Sequence, residues 1–156
     1  MTTDAPIVVG VDGSPTSVLA LQEGARLAGA LGAPLVAVTA WRYPPFFGKQ
    51  PGATWSPETD ANDILDHAIN DAFGEAPPEG LLTEARHGQA IDVLLDAATS
   101  ARMLVVGNRG RGGFSGLLLG SVSTKLAEYA ACPVLIIHDD AGVARSSAEP
   151  EWAGAQ

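Results

Sequence analysis

A glycine-rich segment is the part of the chain whose residue types point most directly to chemistry. Residues 107–121 read G-N-R-G-R-G-G-F-S-G-L-L-L-G-S, after an apolar run from Met103 to Val106 and before a stretch with helical apolar spacing. Glycines let a backbone bend tightly and direct several N–H groups at one oxyanion. The start of a helix adds further N–H groups and the positive end of the helix dipole. Residues 107–121, called the glycine segment below, are therefore predicted to bind phosphate.

Two common phosphate-binding motifs do not match this segment. A Walker A motif requires G-x-x-x-x-G-K-[ST], and no glycine of the chain is followed by lysine and then a hydroxyl residue. A dinucleotide fingerprint, G-x-G-x-x-G, could begin at Gly110 and Gly112. It then has Ser115 where the third glycine is required, and it follows a late strand instead of the first one. Both motifs are excluded.

A third pattern does match, namely G-x-x-G, nine residues, then G-[ST]. It is formed by Gly107, Gly110, Gly120 and Ser121. This pattern resembles that of the universal stress protein family, in its ATP-binding subgroup. The resemblance extends to P-I-V-V-G-V-D-G-S near the start, which looks like the family's first strand, and to A-C-P-V-L-I-I, which looks like its last strand. Together these motifs cover residues 6 to 138.

The remaining chain alternates between strand and helix patterns. The predicted strands are Pro6–Val11, Pro34–Trp41, Leu81–Arg86, Met103–Val106 and Val134–Ile137. The predicted helices run from a cap at Ser14 to Leu31, from Pro57 to Phe73, from Gln89 to Ala98, and onward from Ser121. This alternation predicts an α/β fold, a five-stranded and mainly parallel sheet with helices on both faces. The resemblance implies the Rossmann-like, adenine nucleotide alpha hydrolase-like version of that fold.

In such sheets ligands bind beyond the carboxyl ends of the strands, where the glycine segment and Asp12 are both expected. The resemblance implies phosphate contacts from the backbone of the motif glycines and from the N–H and hydroxyl groups of the first helical residues. These residues are Gly107, Gly110, Gly120, Ser121, Val122 and Ser123. For Ser123, an ordinary hydroxyl in the first turn of a helix is an equally good interpretation. Arg109, Arg111 and Lys125 place positive charge around the same segment.

The resemblance also implies a place for the nucleoside. The backbone of Gly10 and Val11 is expected beside it, and the backbone of Ala40 beside adenine. Asp12 is expected to meet the ribose, or to hold Mg²⁺ through a water molecule near the phosphates. A helix-capping turn is the alternative role for Asp12, because Asp-Gly is common in turns.

Composition sets limits on the function. With 156 residues the chain suits one domain, predicted at residues 1–138, followed by a disordered acidic tail at residues 139–156. A net charge of −9 opposes binding to nucleic acids or anionic membranes. The chain has no apolar run of about 18 residues, and its one cysteine, Cys132, cannot form an internal disulfide, so we expect a cytoplasmic protein.

The resemblance, together with the glycine segment, implies an ATP-binding protein of the stress response that binds ATP together with Mg²⁺. It is expected to form a homodimer through its last strand, Val134–Ile137, because an edge strand has unpaired backbone groups. No acid–base pair or nucleophile motif is visible, and no catalytic residue is predicted. Three alternatives remain open: a slow ATPase, a cyclic-AMP-binding protein, and a dimeric interaction module without nucleotide. The segment from Arg42 to Trp55 is a candidate lid, and the histidines at 67, 87 and 138 lack the spacing of metal ligands.

Overall fold

The structure, a computed structural model, describes residues 4–45, 55–110 and 119–139. Its strands are β1 (Ile7–Gly10), β2 (Leu35–Trp41), β3 (Leu82–His87), β4 (Met103–Gly107) and β5 (Val134–Ile137). Its helices are α1 (Pro15–Leu31), α2 (Pro57–Phe73), α3 (Ala90–Ala98) and α4 (Ser121–Tyr129). The α/β architecture is confirmed. Part of the candidate lid, Arg111 and the predicted tail beyond Asp139 lie outside the described residues.

The five strands form one sheet in the order β3-β2-β1-β4-β5, and every pairing is parallel. The prediction of a mainly parallel sheet is therefore refined to an all-parallel one. Strands β2 and β3 lie on one side of β1, and the chain then crosses to the other side of β1, where β4 and β5 lie. Ligands bind at such a switch point in open α/β sheets. The expected place for a ligand is therefore at the carboxyl ends of β1 and β4.

Helices cover both faces of the sheet. On one face α1 and α2 pack over a core that includes Ile7, Val9 and Leu65, none of them more than 1% exposed. On the other face α3 and α4 pack over Val8, Leu104 and Leu126. Side chains along β1 alternate between these two cores, as the pleat of a strand requires.

The element ends follow from local chemistry. Helix α1 begins after Ser14, whose side chain accepts a hydrogen bond from the backbone N–H of Ser17, and Pro15 occupies its first position. It ends at Gly32, which has the left-handed conformation with φ 62°. The structure corrects β3, which lies one residue later than predicted, and β4, which continues through Gly107. Gly107 therefore belongs to the strand and not to the loop after it.

Within the described residues, no helix is long and apolar enough to cross a membrane. Among the strands of the described residues, β5 pairs with β4 alone and so forms one edge of the sheet, as predicted.

Candidate functional site

A cavity of about 540 Å³ lies at the carboxyl ends of β1, β2 and β4. All ten residues predicted for the binding site line it: Gly10, Val11, Asp12, Ala40, Gly107, Gly110, Gly120, Ser121, Val122 and Ser123. The cavity also has walls from Ser14, Ser17 and Leu94. Its volume lies within the range typical of small-molecule sites. The fold thus brings residues from four separate parts of the chain to one cavity.

Part of the cavity lining is apolar and includes Val38, Ala40, Leu94, Val106 and Val122. Gly10 is closely packed against Val106, because a Cβ added at Gly10 would lie 3.0 Å from Val106 Cγ1. Apolar side chains such as these suit contact with a nucleobase.

The cavity lining also includes the starts of three helices. Ser14 and Ser17 bring the first turn of α1 to the cavity, Ala90 brings that of α3, and Ser121 brings that of α4. Neither Gln89 before α3 nor Gly120 before α4 caps its helix with a side-chain hydrogen bond. The first N–H groups of a helix have no partner within it, and the helix dipole is positive there. The helix starts in the cavity lining therefore favour an anion.

Three consecutive backbone carbonyls of the glycine segment are tied to donors within the protein. The bonds are Ser123 Oγ to Gly107 O at 2.7 Å, Gly120 N to Asn108 O at 2.6 Å, and Thr16 Oγ1 to Arg109 O at 2.8 Å. A carbonyl oxygen carries partial negative charge, so one that faced the cavity would repel phosphate. Each of the three carbonyls is instead held by a donor of the protein.

The motif glycines are needed for space and not for left-handed backbone. Gly107, Gly110 and Gly120 all lie outside the positive-φ region. A Cβ at Gly107 would overlap the Thr16 hydroxyl and lie 2.7 Å from Thr16 Cβ. A Cβ at Gly110 would lie 2.6 Å from Asp12 Oδ2. Two of the glycines thus allow α1 and the end of β1 to approach the glycine segment.

Asp12 carries out the turn role that was the alternative interpretation. Its Oδ1 accepts a hydrogen bond from the Ser14 backbone N–H at 2.9 Å. The other carboxylate oxygen lies toward Gly110, and the residue lines the cavity. Capping the turn and facing the ligand are therefore compatible roles. The described residues contain no group of three or more side chains able to hold a metal ion. Any divalent cation here would have Asp12 as its carboxylate and would depend on oxygens of the ligand.

Comparison with known proteins identifies the family. The model of the universal stress protein family matches residues 5–138. The chain belongs to this family. A universal stress protein of Mycolicibacterium smegmatis is 35% identical over 162 residues, covering 97% of this chain and 54% of the relative. The chain therefore spans about half the length of this curated relative.

Solved structures of universal stress proteins share the fold. One, described as a complex with cAMP, has a TM-score of 0.66 and 28% identity, over 86% of this chain and 97% of the other. A second, from Lactobacillus plantarum, has a TM-score of 0.65 and 21% identity, over 85% of this chain and 97% of the other. Because its identity is only 21%, the second structure supports the fold alone.

Two expected donors of this universal stress protein are used within the protein itself. The backbone N–H of Gly120, predicted to reach phosphate, donates to Asn108 O instead. The hydroxyl of Ser123, which is only 4% exposed, donates to Gly107 O. Of the donors expected at the start of α4, the N–H groups of Ser121, Val122 and Ser123 remain for an anion. The Gly120 N–H and the Ser123 hydroxyl therefore shape the site instead of binding a ligand.

Of the positively charged residues predicted around the glycine segment, not all lie at the cavity. Arg109 lines the cavity, whereas Lys125 is exposed on α4 and is not among the lining residues. Ser14, Ser17 and Leu94 also line the cavity, although the sequence did not predict them as site residues. The helix cap of α1 was the signal available for the two serines, because the first turn of a helix after a strand faces the carboxyl end of the sheet.

The remaining candidate groups have ordinary roles. His67 Nδ1 lies 2.7 Å from the Asp63 carbonyl one turn earlier on α2, and the His87 ring stacks edge-on against Trp41. Cys132 is half-buried, and burial raises the pKa of its thiol. A thiol with a raised pKa stays protonated at neutral pH and is a poor nucleophile.

Proposed function

We propose that this chain binds ATP in the cavity and that the bound nucleotide regulates its interactions in the stress response. The observation that carries the proposal is one cavity whose lining combines apolar side chains with the starts of helices. The apolar side chains near Ala40 would contact adenine, and the start of α4 has N–H groups for the phosphates. The universal stress protein described as a complex with cAMP, at 28% identity, supports an adenine nucleotide as the ligand class.

The residues present also fit Mg²⁺ as a companion of ATP. Asp12 and Arg109 are the charged side chains that line the cavity within the described part of the chain, and their charges cancel. A triphosphate therefore brings negative charge that side chains alone do not balance. Mg²⁺ bound to phosphate oxygens and held by Asp12 through water would supply the missing charge. This arrangement binds and orients the nucleotide, and we assign no catalytic residue.

The proposal is tested by identifying the nucleotide that the purified protein carries. The protein is denatured, any released nucleotide is identified by mass, and the emptied protein is titrated with ATP, AMP and cyclic AMP, each with and without Mg²⁺. Copurified ATP, or micromolar ATP affinity above that for cyclic AMP, is the expected result. Tighter binding of cyclic AMP would move the assignment to the cyclic nucleotide. Binding of none of them would contradict the proposal and favour an interaction module without nucleotide.

Replacing Asp12 by asparagine should remove the dependence of ATP binding on Mg²⁺. Asparagine keeps the oxygen that accepts from the Ser14 N–H, so the turn before α1 should persist. We expect the wild-type protein to lose about ten-fold in ATP affinity without Mg²⁺, equivalent to about 1.4 kcal/mol, and the variant to lose less than about two-fold. Calorimetric titration with and without Mg²⁺ measures both. An equal Mg²⁺ dependence in the two proteins would exclude Asp12 from the metal site.

We also propose that two copies of the chain pair through β5. Pro133 and Ile137 accept hydrogen bonds from Leu104 N and Asn108 N of the β4 side. Because backbone groups alternate in direction along a strand, Val134 and Ile136 direct theirs to the free edge. The four residues of β5 are only half-buried, and Tyr129 nearby in the chain is 68% exposed. An apolar edge of this kind is suited to pairing with a second copy across a two-fold axis.

Replacing Ile136 by proline should convert the dimer to a monomer. Proline removes an N–H that points away from β4, so the sheet within one chain should tolerate it. Ile136→Val keeps the N–H and is the matched control. Light scattering at micromolar concentration should give twice the chain mass for the wild type and for Ile136→Val, and one chain mass for Ile136→Pro. A monomeric wild type would refute the dimer, and a dimeric proline variant would place the interface elsewhere.

The wider cellular role also belongs to the proposal. The first curated relative is about twice as long as this chain, so activities of the longer protein are not assigned to it. Slow hydrolysis of ATP would need a group that positions water. We propose a regulatory ATP-binding protein of the cytoplasm and not an efficient enzyme.

A further inference from the structure

Thr16 connects the first turn of α1 to the glycine segment from behind the cavity wall. Its side-chain hydroxyl donates to the Arg109 carbonyl at 2.8 Å, across 93 residues of sequence. Thr16 is only 5% exposed and is not among the residues that line the cavity. The Arg109 carbonyl is therefore directed away from the cavity, toward the interior of the protein.

The direction of this carbonyl determines the direction of the next N–H. In a trans peptide the C=O of one residue and the N–H of the following residue point in opposite directions. No cis peptide bond occurs in the described residues. Because the Arg109 carbonyl points to Thr16, the Gly110 N–H points to the opposite side, and Gly110 itself lines the cavity. Rotation of this one peptide would exchange an N–H for a carbonyl at the cavity.

The Thr16 hydroxyl is itself held in place. Ser14 Oγ lies 3.3 Å from Thr16 Oγ1. Since the single hydroxyl hydrogen of Thr16 is used for Arg109 O, Ser14 is the donor of this pair. The same Ser14 oxygen accepts from the Ser17 N–H as the cap of α1. The cap of α1 and the orientation of the 109–110 peptide thus belong to one hydrogen-bond chain.

We propose that Thr16 is a positioning residue for the phosphate-binding end of the site. It holds the 109–110 peptide so that the Gly110 N–H faces the phosphate of a bound nucleotide. Thr16 itself does not touch the ligand. The inference rests on the proposed function and adds a residue to it that no motif assigns.

The test compares Thr16→Val with Thr16→Ser. Valine keeps the shape of threonine and removes the hydroxyl, whereas serine keeps the hydroxyl and removes a methyl group. We expect Thr16→Val to bind AMP and ATP about ten-fold more weakly, the size of one misdirected hydrogen bond to a charged group, and Thr16→Ser to bind like the wild type. Affinity for adenosine, which has no phosphate, should be equal in all three proteins. A general structural defect would instead lower adenosine and AMP affinity together and would not be restored by serine.

A second measurement needs no variant. In the wild-type protein the amide resonance of Gly110 should shift when AMP is added and stay in place when adenosine is added. Equal shifts with both ligands, or wild-type AMP affinity in a folded Thr16→Val protein, would overturn the role of Thr16. Failure of the wild type to bind any adenine nucleotide would instead refute the proposed function, so the two failures are distinguishable.

Discussion

Replacement of Gly120 by leucine should abolish nucleotide binding and leave the fold intact. Gly120 has φ −72° and ψ 168°, an extended conformation that any residue can adopt. A Cβ there would lie 3.5 Å from Asn108 O and 3.7 Å from Gly110 N, which are ordinary contacts. Because Gly120 lines the cavity, we expect the further atoms of leucine to enter it beside the start of α4. We expect ATP affinity to fall more than about a hundred-fold, equivalent to about 2.8 kcal/mol.

Alanine at position 120 is the matched control for this experiment. Both substitutions replace a glycine cap of α4 by a residue that caps poorly, so both should cost a similar, small amount of stability. Only leucine should obstruct the phosphates. Calorimetric titration measures the affinity, and circular dichroism with thermal unfolding checks the fold. A Gly120→Leu protein with the affinity of Gly120→Ala would show that the phosphates do not lie beside the start of α4.

Much of the fold can be predicted from local sequence because each element has its own signal. The limits of α2 and β5 coincide with the prediction, since Pro57 and Gly74 bound the helix and β5 is a short apolar run. The β3 prediction is wrong by one residue. Its sequence L-T-E-A-R-H mixes apolar and charged residues, because an edge strand is partly exposed and lacks clear periodicity.

The ten residues predicted for the site line one cavity, but the hydrogen bonds among them could not be predicted from the sequence. Their selection came from the spacing of the glycines, the position of Asp12 and the family resemblance. The roles of Gly120 N–H and Ser123 Oγ changed, because their partners are carbonyls that only the folded chain places nearby. Thr16 could not be found at all, since its partner Arg109 lies 93 residues away and threonine in a first helical turn is common. The spacing of the glycines therefore predicts which positions must lack a side chain. Only the structure shows which atoms lie close to those positions.

The same distinction predicts that two glycines of the motif will respond differently to alanine. At Gly107 the new Cβ would lie 2.7 Å from Thr16 Cβ and 3.0 Å from the Thr16 carbonyl carbon, besides overlapping the hydroxyl. These atoms belong to the first turn of α1 and cannot rotate away. Either α1 or β4 must shift, and overpacking of this kind costs about 2 kcal/mol of unfolding free energy. Gly107→Ala should also weaken ATP binding, because displacing Thr16 releases the Arg109 carbonyl.

Gly110→Ala is the control, since it adds the same methyl group three residues later. There the close contact is Asp12 Oδ2, at 2.6 Å, which is the end of a side chain that can turn. We expect less than about 1 kcal/mol of destabilisation, below the usual range for overpacking of a rigid core. Urea unfolding of both variants without nucleotide gives the comparison, and it separates stability from ligand binding. Equal stability of the two variants would show that α1 can shift at Thr16 without a cost in unfolding free energy. The contact between Gly107 and Thr16 would then not explain why the motif begins with glycine.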